Sequence, residues 1–309
     1  MKMMKYGIAA IAILFLFQQS AIAEKPEKTV EKSYNVASDG TLTVDTDLGS
    51  IDVRTHSEKT VEIKVVFKSK TSSEKKFEVA LEDFELNFDQ KGNDVSVTGD
   101  WENDNWFKNN PFNVEFYVVV PKSYHVDLQT SGGSIQVADL DGDVIAATSG
   151  GSLRFGNIDG TVKGRTSGGS VSVESCNGDI DVKTSGGSIS LGRVSGNMVA
   201  HTSGGSINVN EVEGNVDAKT SGGSVHATLL KNPTDACSFK TSGGGIEVRL
   251  PEDAKCSIDA STSGGSVSTD FPILVQGKWG SNSLKGEING GGPLVECRTS
   301  GGGIRILKN

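Results

Sequence analysis

Residues 148–165 read TSGGSLRFGNIDGTVKGR, and residues 166–183 read TSGGSVSVESCNGDIDVK. The two blocks align without a gap, and the alignment extends both ways along the chain. Thr-Ser-Gly-Gly begins at Thr130, Thr148, Thr166, Thr184, Thr202, Thr220, Thr241, Thr262 and Thr299, and the first six are spaced by 18 residues. The next two steps are 21 and the last is 37, which reads as about two periods with one motif lost. A fixed internal period of this kind marks a repeat architecture, in which no single unit buries its own apolar face and stacked units do.

The positions between the motifs say what each unit is. The second residue after Gly-Gly is apolar: Ile135, Leu153, Val171, Ile189, Ile207, Val225, Ile246, Val267, Ile304. Two further on the residue is usually apolar again, as at Val137, Phe155, Val173 and Leu191. Period two is the mark of a strand with one buried face. A third apolar column follows at Leu140, Ile158, Cys176, Val194, Val212 and Leu230, then a glycine column at Gly142, Gly160, Gly178, Gly196 and Gly214. A second alternating strand leads back to the threonine, as in Val144-Ala146-Thr148. Each unit is thus two strands and two tight corners. The Ser-Gly-Gly corners use Gly132, Gly133, Gly150, Gly151, Gly168, Gly169, Gly186, Gly187, Gly204, Gly205, Gly222 and Gly223. Their glycines are expected to supply positive φ, and the Asp or Asn of the other corner to bond the local backbone.

The fold class predicted is all-β: a β-solenoid of stacked, roughly 18-residue two-strand coils with a β-rich N-terminal cap. An antiparallel meander closing a hairpin at each Ser-Gly-Gly is the alternative, but it leaves one apolar face in need of a cover that the sequence does not supply. Residues 24–120 form the cap region and residues 121–309 the solenoid. Within the cap, strand-like runs fall at Thr41 to Asp45, Ser50 to Arg54, Thr60 to Lys68, Val95 to Thr98 and Val114 to Val120, and Gly49-Ser50-Ile51-Asp52-Val53 looks like a worn repeat. Ser73 to Phe84 reads as a short helix capped by Ser73 and burying Phe77, Leu81 and Phe84. Glu24 to Lys32 are charged and expected to be disordered. Asp270 to Gly292 reads as a looped excursion, after which Leu294 to Arg298 and Gly303 to Leu307 close the far end.

Lys2 and Lys5, the apolar run Gly7 to Phe17 and the small-x-small Ala21-Ile22-Ala23 fit a secretory signal peptide over residues 1–23. A membrane helix needs about 20 apolar residues, and this run stops at Gln18-Gln19. No other stretch is long enough to span a bilayer. Loss of the leader with its two lysines takes the formal charge from −9 to −11. So acidic a chain is a poor partner for nucleic acid. Export permits disulfides. Cys176 reads as a buried apolar residue, and a pair among Cys237, Cys256 and Cys297 stays open.

Several residues together resemble a known family. Phe116-Tyr117-Val118-Val119-Val120-Pro121 leads into Val126-Asp127-Leu128-Gln129-Thr130-Ser131-Gly132-Gly133-Ser134-Ile135, and the chain closes on Arg298-Thr299-Ser300-Gly301-Gly302-Gly303-Ile304-Arg305-Ile306. With the recurring Thr-Ser-Gly-Gly, this resembles the bacterial adhesin-like β-strand-repeat family of unknown function, over roughly residues 40 to 309. The resemblance implies the fold. It implies no reaction, cofactor or catalytic residue.

Chemistry is sparse. His56, His125, His201 and His226 have no metal-ligand spacing and read as solvated. The Gly-Gly pairs open strands, so they are not phosphate loops. Asp139, Asp141 and Asp143 look like the start of a calcium loop but lack its glutamate, and read as a turn. Asp127, Asp181, Asp217 and Asp259 recur three residues before a Thr and are expected in one exposed ladder. Beside them, one residue before the Thr, stand Arg165, Lys183, His201, Lys219, Lys240 and Arg298. The two sets read either as mutual neutralisation or as a patterned surface for a protein or glycan at the cell envelope. Trp101, Trp106 and Trp279 lie outside the regular coils, which places any discrete site near the ends. The threonine hydroxyls should point inward, which disfavours ice binding. No cofactor, metal or catalytic residue is expected. The chain reads as an exported, non-enzymatic, adhesin-like protein, periplasmic or at the cell surface, with a carbohydrate-binding or carbohydrate-cleaving β-helix as the alternative.

Overall fold

A computed structural model describes residues 25–37, 39–101, 111–275 and 280–309. The leader expected at residues 1–23, Trp106 and Trp279 lie outside the described residues. The chain is an all-β solenoid of two facing sheets, here called A and B. In the array each coil contributes one strand to each sheet, and the strands pair in parallel, which excludes the meander.

The coils follow the repeat. After β1 (Glu27–Asn35), β2 (Thr41–Thr46) and β3 (Ser50–His56) make the first coil, followed by β4 (Thr60–Ser69), α1 (Glu74–Glu82), β5 (Phe84–Lys91), β6 (Asp94–Trp101) and β7 (Phe112–Pro121). The array then runs through β8 (His125–Thr130) with β9 (Ile135–Val137), β10 (Val144–Thr148) with β11 (Leu153–Ile158), and β12 (Val162–Thr166) with β13 (Val171–Cys176). It continues with β14 (Ile180–Thr184) and β15 (Ile189–Val194), β16 (Met198–His201) and β17 (Ile207–Val212), β18 (Val216–Lys219) and β19 (Val225–Leu229), and β20 (Cys237–Lys240) and β21 (Ile246–Leu250). The last elements are β22 (Cys256–Thr262), β23 (Val267–Thr269), β24 (Leu274–Val275), β25 (Ser283–Ile288), β26 (Leu294–Thr299) and β27 (Ile304–Lys308).

Spatial order departs from chain order at both ends. Sheet A runs β1-β4-β7-β3-β9 and onward to β21-β27-β23, and sheet B runs β5-β6-β2-β8 and onward to β20-β26-β22-β25-β24. The coil β2–β3 is therefore flanked by β6–β7 on one side and β8–β9 on the other. Its worn motif stacks in register, Ile51 opposite Ile135 and Val53 opposite Val137. At the far end, β26–β27 slots between β20–β21 and β22–β23. The 37-residue step between Thr262 and Thr299 thus hides no lost coil. It holds the antiparallel β24–β25 excursion, from which the chain returns inside its own penultimate coil. Nor do the final two strands close the end. On sheet B the antiparallel β25 and β24 lie at the edge, and on sheet A the three-residue parallel strand β23 does.

The segment expected to be disordered is the edge strand β1, paired over its whole length with β4. The free edge of β4 offers a full row of backbone partners, and Val30 and Tyr34 pack on the core. The outward charges of β1 discourage a further strand from adding. Ser73 caps α1, its Oγ accepting from the Lys76 N–H at 3.5 Å, and Phe77 is buried. Phe77, Phe67, Phe84 and Trp101 all pack on Phe112, with Trp101 stacked at 5.2 Å. Leu81 is only partly buried.

Two devices hold the coils at strand spacing. The first is the threonine. Nine motif threonines are buried. Each hydroxyl donates to a glycine carbonyl of the neighbouring coil at 2.6–2.8 Å, as from Thr184 to Gly169 and from Thr299 to Gly244. The same oxygen accepts from the second glycine N–H of its own corner at 3.2–3.5 Å. One buried side chain thereby satisfies two corner groups that no ladder reaches. The second device is the glycine itself. None of the twelve corner glycines lies in the left-handed region; the positive-φ glycines among the described residues are Gly49, Gly92, Gly290 and Gly291. Conformational freedom is therefore not what the repeat asks of them. A Cβ on Gly151 or Gly169 would sit inside the carbonyl of the equivalent glycine one coil away, whereas Gly132 meets nothing within 4 Å. Close stacking, not φ, fixes the second glycine of each pair.

The opposite corner is also built between coils and not within one. Asp143 accepts from the Thr161 N–H at 2.8 Å, and Asp179 from the Asn197 N–H at 2.7 Å. Ser134, Ser152, Ser170, Ser188 and Ser206 make a similar ladder, each hydroxyl accepting from the next serine's N–H at 3.1–3.2 Å. In the third apolar column Leu229, not Leu230, is the fully buried residue, because the first 21-residue repeat shifts the register between β17 and β19. Cys176, Cys237, Cys256 and Cys297 are all free and buried. Burial raises their thiols, that of Cys256 to about 11 with the neighbouring Cys237 adding to the effect.

Candidate functional site

In sheet B the residue before each motif threonine points outward, and parallel pairing stacks these residues into a column. Arg165 stands opposite Lys183, Lys183 opposite His201, His201 opposite Lys219, Lys219 opposite Lys240, and Lys240 opposite Arg298. These are consecutive strands in space, spanning about 24 Å at ~4.8 Å per strand. Arg298 reaches its rung only because the last coil inserts beside β20. Toward the N-terminal end the column continues as Ala147, Gln129 and Asp45. An open groove follows this part of the edge, floored by the Thr-Ser corner and lined by Ser131, Ser149, Ser167 and Ser185 with Arg165 and Lys183.

The acids do not form one unbroken ladder. Asp127, Asp181, Asp217 and Asp259 share the next outward column, but Ile145, Lys163, Val199, Ser238 and Glu296 stand between them. Most of these acids pair with the neighbouring basic side chains. Asp181 lies 3.3 Å from Arg165 and 3.1 Å from Lys183, Asp217 lies 2.9 Å from His201, and Glu296 lies 2.7 Å from Lys240. Arg298 donates to Asp259 at 2.8 Å, holding that carboxyl below its ordinary range. Lys219 has no ion pair among the described residues. Such exposed pairs contribute roughly 0–1 kcal/mol each. They order the cations more than they stabilise the fold.

Asp127 differs, because it has no ion pair among the described residues. Burial, and then the charge of Asp45, raise its carboxyl above the usual value. A raised carboxyl binds its proton more tightly in the folded chain, so the penalty is absent below the unfolded value near 3.9 and is present in full above the raised one. Asp127→Asn should therefore raise the urea midpoint at pH 7 and give no gain at pH 3. An equal gain at both would refute the assignment to charge.

The remaining sequence candidates are dispersed. His56 bonds the Thr60 carbonyl at 2.8 Å, and His125 accepts from the Asp143 N–H at 3.0 Å, so these two and His201 hold neighbours and are not simply solvated. Asp139 and Asp143 serve different rungs, and Asp141 faces Lys122 at 3.5 Å, so the three do not converge as a calcium corner requires. Trp101 belongs to the aromatic cluster at the N-terminal end and forms no exposed platform. Tyr117 carries the one exposed Phe, Tyr or Trp ring among the described residues. Its hydroxyl donates to Glu115 at 2.7 Å, and Lys68 reaches the same carboxylate oxygen at 2.5 Å. Burial works to raise the Glu115 carboxyl, but these two donors outweigh it and the net shift is downward. The signal for Tyr117 was present in the alternation of Val114, Phe116, Val118 and Val120, which leaves position 117 facing out.

A two-sheet solenoid with a Thr-Ser-Gly-Gly corner and a column of basic side chains is thus the class of protein to which this chain conforms. The family model described as Toastrack DUF4097 matches residues 40–307, and the chain belongs to that family. Among solved structures, a candidate cell adhesion protein of Clostridium sporogenes aligns at 12% identity and a TM-score of 0.32, over 92% of this chain and 100% of its own. Candidate adhesins of Bacteroides fragilis (12% identity, TM-score 0.35, 91% and 97% covered) and Parabacteroides merdae (13%, 0.35, 91% and 96%) align similarly. No curated protein matches the sequence. Among the described residues no helix is long and apolar enough to cross a membrane.

Proposed function

We propose that the chain is an exported, non-enzymatic, adhesin-like contact protein of the cell envelope, and that the outer face of sheet B is the surface it presents. The observation that carries this reading is the column Arg165, Lys183, His201, Lys219, Lys240, Arg298, held in one register on a rigid wall of an otherwise acidic chain. A periodic row of weak contacts gains affinity by multiplicity and not by a deep pocket. The partner is a protein or glycan of the envelope.

The carbohydrate-cleaving alternative needs two carboxyls across a scissile bond, at most about 9.5 Å apart. Only the acid of such a pair needs a raised carboxyl. Asp127, raised by burial and then by Asp45, has that acid one strand over and two residues along, but no exposed aromatic ring stands beside them on sheet B among the described residues.

The test is cell fractionation with surface protease accessibility, followed by retention of the purified chain on envelope preparations. Replacing Lys183, Lys219 and Lys240 with Glu should leave the circular dichroism unchanged and cut retention several-fold. Wild-type retention should weaken as salt shortens the screening length from about 10 Å at 0.1 M. Equal retention of the two proteins would remove the ladder from the function.

A further inference from the structure

The outer face of sheet A carries a second, unrelated cluster near its C-terminal end. An open depression of about 390 Å³ lies across β17, β19 and β21, lined by Asn208, Asn210, His226, Thr228, Glu247 and Arg249. Its origin is a register shift. Val209 stands opposite Ala227 and Val212 opposite Leu229, so Asn210 and Glu211 together face the single residue Thr228. A bulge of this kind bends its strand and re-aims the side chains on it. Asn208, Asn210 and His226 are exposed and Thr228 is half-buried, and none of the four has a hydrogen-bond partner among the described residues. One wall is charged. Parallel pairing sets His226, Glu247 and Arg305 in one row, with Arg249 beside Thr228 in the next. Glu247 accepts from Arg249 at 3.1 Å through one oxygen and from Arg305 at 2.6 Å through the other. The shared carboxylate holds both guanidiniums in place, so little freedom is lost when their remaining N–H groups meet an acceptor.

We propose that the depression binds a sugar acid: a short saccharide with its carboxylate on the guanidinium wall and its hydroxyls on the floor. The charges select the carboxylate. Arg193 and Lys231 are matched by Glu213, which pairs with both, and by Glu211, which stands opposite Arg193. Arg249 and Arg305 share Glu247 alone, which leaves one positive charge on the wall. Asp270 follows β23, beyond β27 and on the far side from the depression. A free cation is not what the wall takes, because both Glu247 oxygens are engaged. One charge left over, on a chain of formal charge −9, suits one carboxylate and not a polyanion. The floor selects the polyol. Two carboxamides, an imidazole and a hydroxyl between them donate and accept, as sugar hydroxyls do. A peptide strand has no ladder to join here, since β19 is paired on both sides. The inference is independent of the sheet B ladder, which lies on the opposite wall of the solenoid.

Isothermal titration of the purified chain tests it with matched pairs: 3′-sialyllactose against lactose, glucuronate against glucose, and galacturonate against galactose. At least one acid should bind, and about tenfold tighter than its neutral partner. Arg305→Gln leaves Arg249 and Glu247 to neutralise each other and should abolish that preference. Asn210→Ala should weaken the acid and its neutral partner alike, several-fold. Both residues are exposed, so neither change should alter the circular dichroism. The triple lysine variant of the ladder should bind as wild type does. Binding of no acid at millimolar concentration, an acid bound no tighter than its neutral partner, or unchanged affinity in Arg305→Gln would each overturn the proposal. Loss in the triple lysine variant would move the sugar to sheet B and overturn it as well.

Discussion

Gly169→Ala destabilises the array by about 3 kcal/mol, near the upper end of what overpacking costs, while Gly132→Ala leaves stability unchanged or raises it by up to ~1 kcal/mol. Both residues occupy Ser-Gly-Gly corners, and neither has a positive φ. They differ in what lies beyond the missing side chain. A Cβ on Gly169 falls on the Gly151 carbonyl and near the Ser152 backbone, which are parts of the next coil and cannot rotate away. Relief requires two coils to separate, and separation stretches the serine ladder and the threonine bonds on either side. A Cβ on Gly132 points into open space. There the only effect is a less flexible unfolded chain. Urea midpoints at constant slope read the difference directly. If Gly169→Ala unfolded with the wild-type midpoint, the idea that clearance between coils dictates this glycine would be wrong.

Thr184→Val is the second large effect, with a loss of about 2–4 kcal/mol. Valine matches threonine in shape and in strand propensity, so the buried volume is kept. What disappears is an oxygen that donates to the Gly169 carbonyl at 2.7 Å and accepts from the Gly187 N–H at 3.3 Å. Two backbone groups at a half-buried corner then lose these partners, each costing up to about 1–3 kcal/mol. Thr184→Ser keeps the oxygen and loses one methyl, for a cost of about 1 kcal/mol. The order wild type, Ser, Val in urea midpoint is the expected result. The reverse order of Ser and Val would show that the threonine column is retained for packing and not for its hydroxyl. Because every motif repeats the arrangement, Thr202→Val should behave like Thr184→Val.

Both outcomes show where a sequence reading stops short. The glycine pair was legible as a corner, but its role was assigned to positive φ, the usual reason for glycine in a turn. Spacing along one chain does not reveal the carbonyl of a neighbouring coil. The Asp and Asn of the opposite corner were misassigned for the same reason: their partners are 18 residues away along the chain and one strand away in space. The charged segment before residue 33 looked unable to fold because its partner, β4, lies well beyond it in the chain. Tyr117 was visible within a family motif, but the carboxylate it shares with Lys68, from a strand far earlier in the chain, shows only in the folded chain.

What the sequence determined is local and periodic: two strands per 18 residues, which faces of them are apolar, where the corners fall, and that one outward position in the array is repeatedly basic. Alternation and interval carry that information because strand geometry repeats every two residues and a coil repeats every turn. What tertiary structure alone decided is the order in which the coils lie. Nothing in the residues from Leu294 to Lys308 announces that they stack inside the coil preceding them. Parallel pairing accepts any coil of matching pattern, so order is chosen by how the ends are closed, through contacts between residues distant along the chain. That choice puts Arg298 next to Lys240 and completes the column.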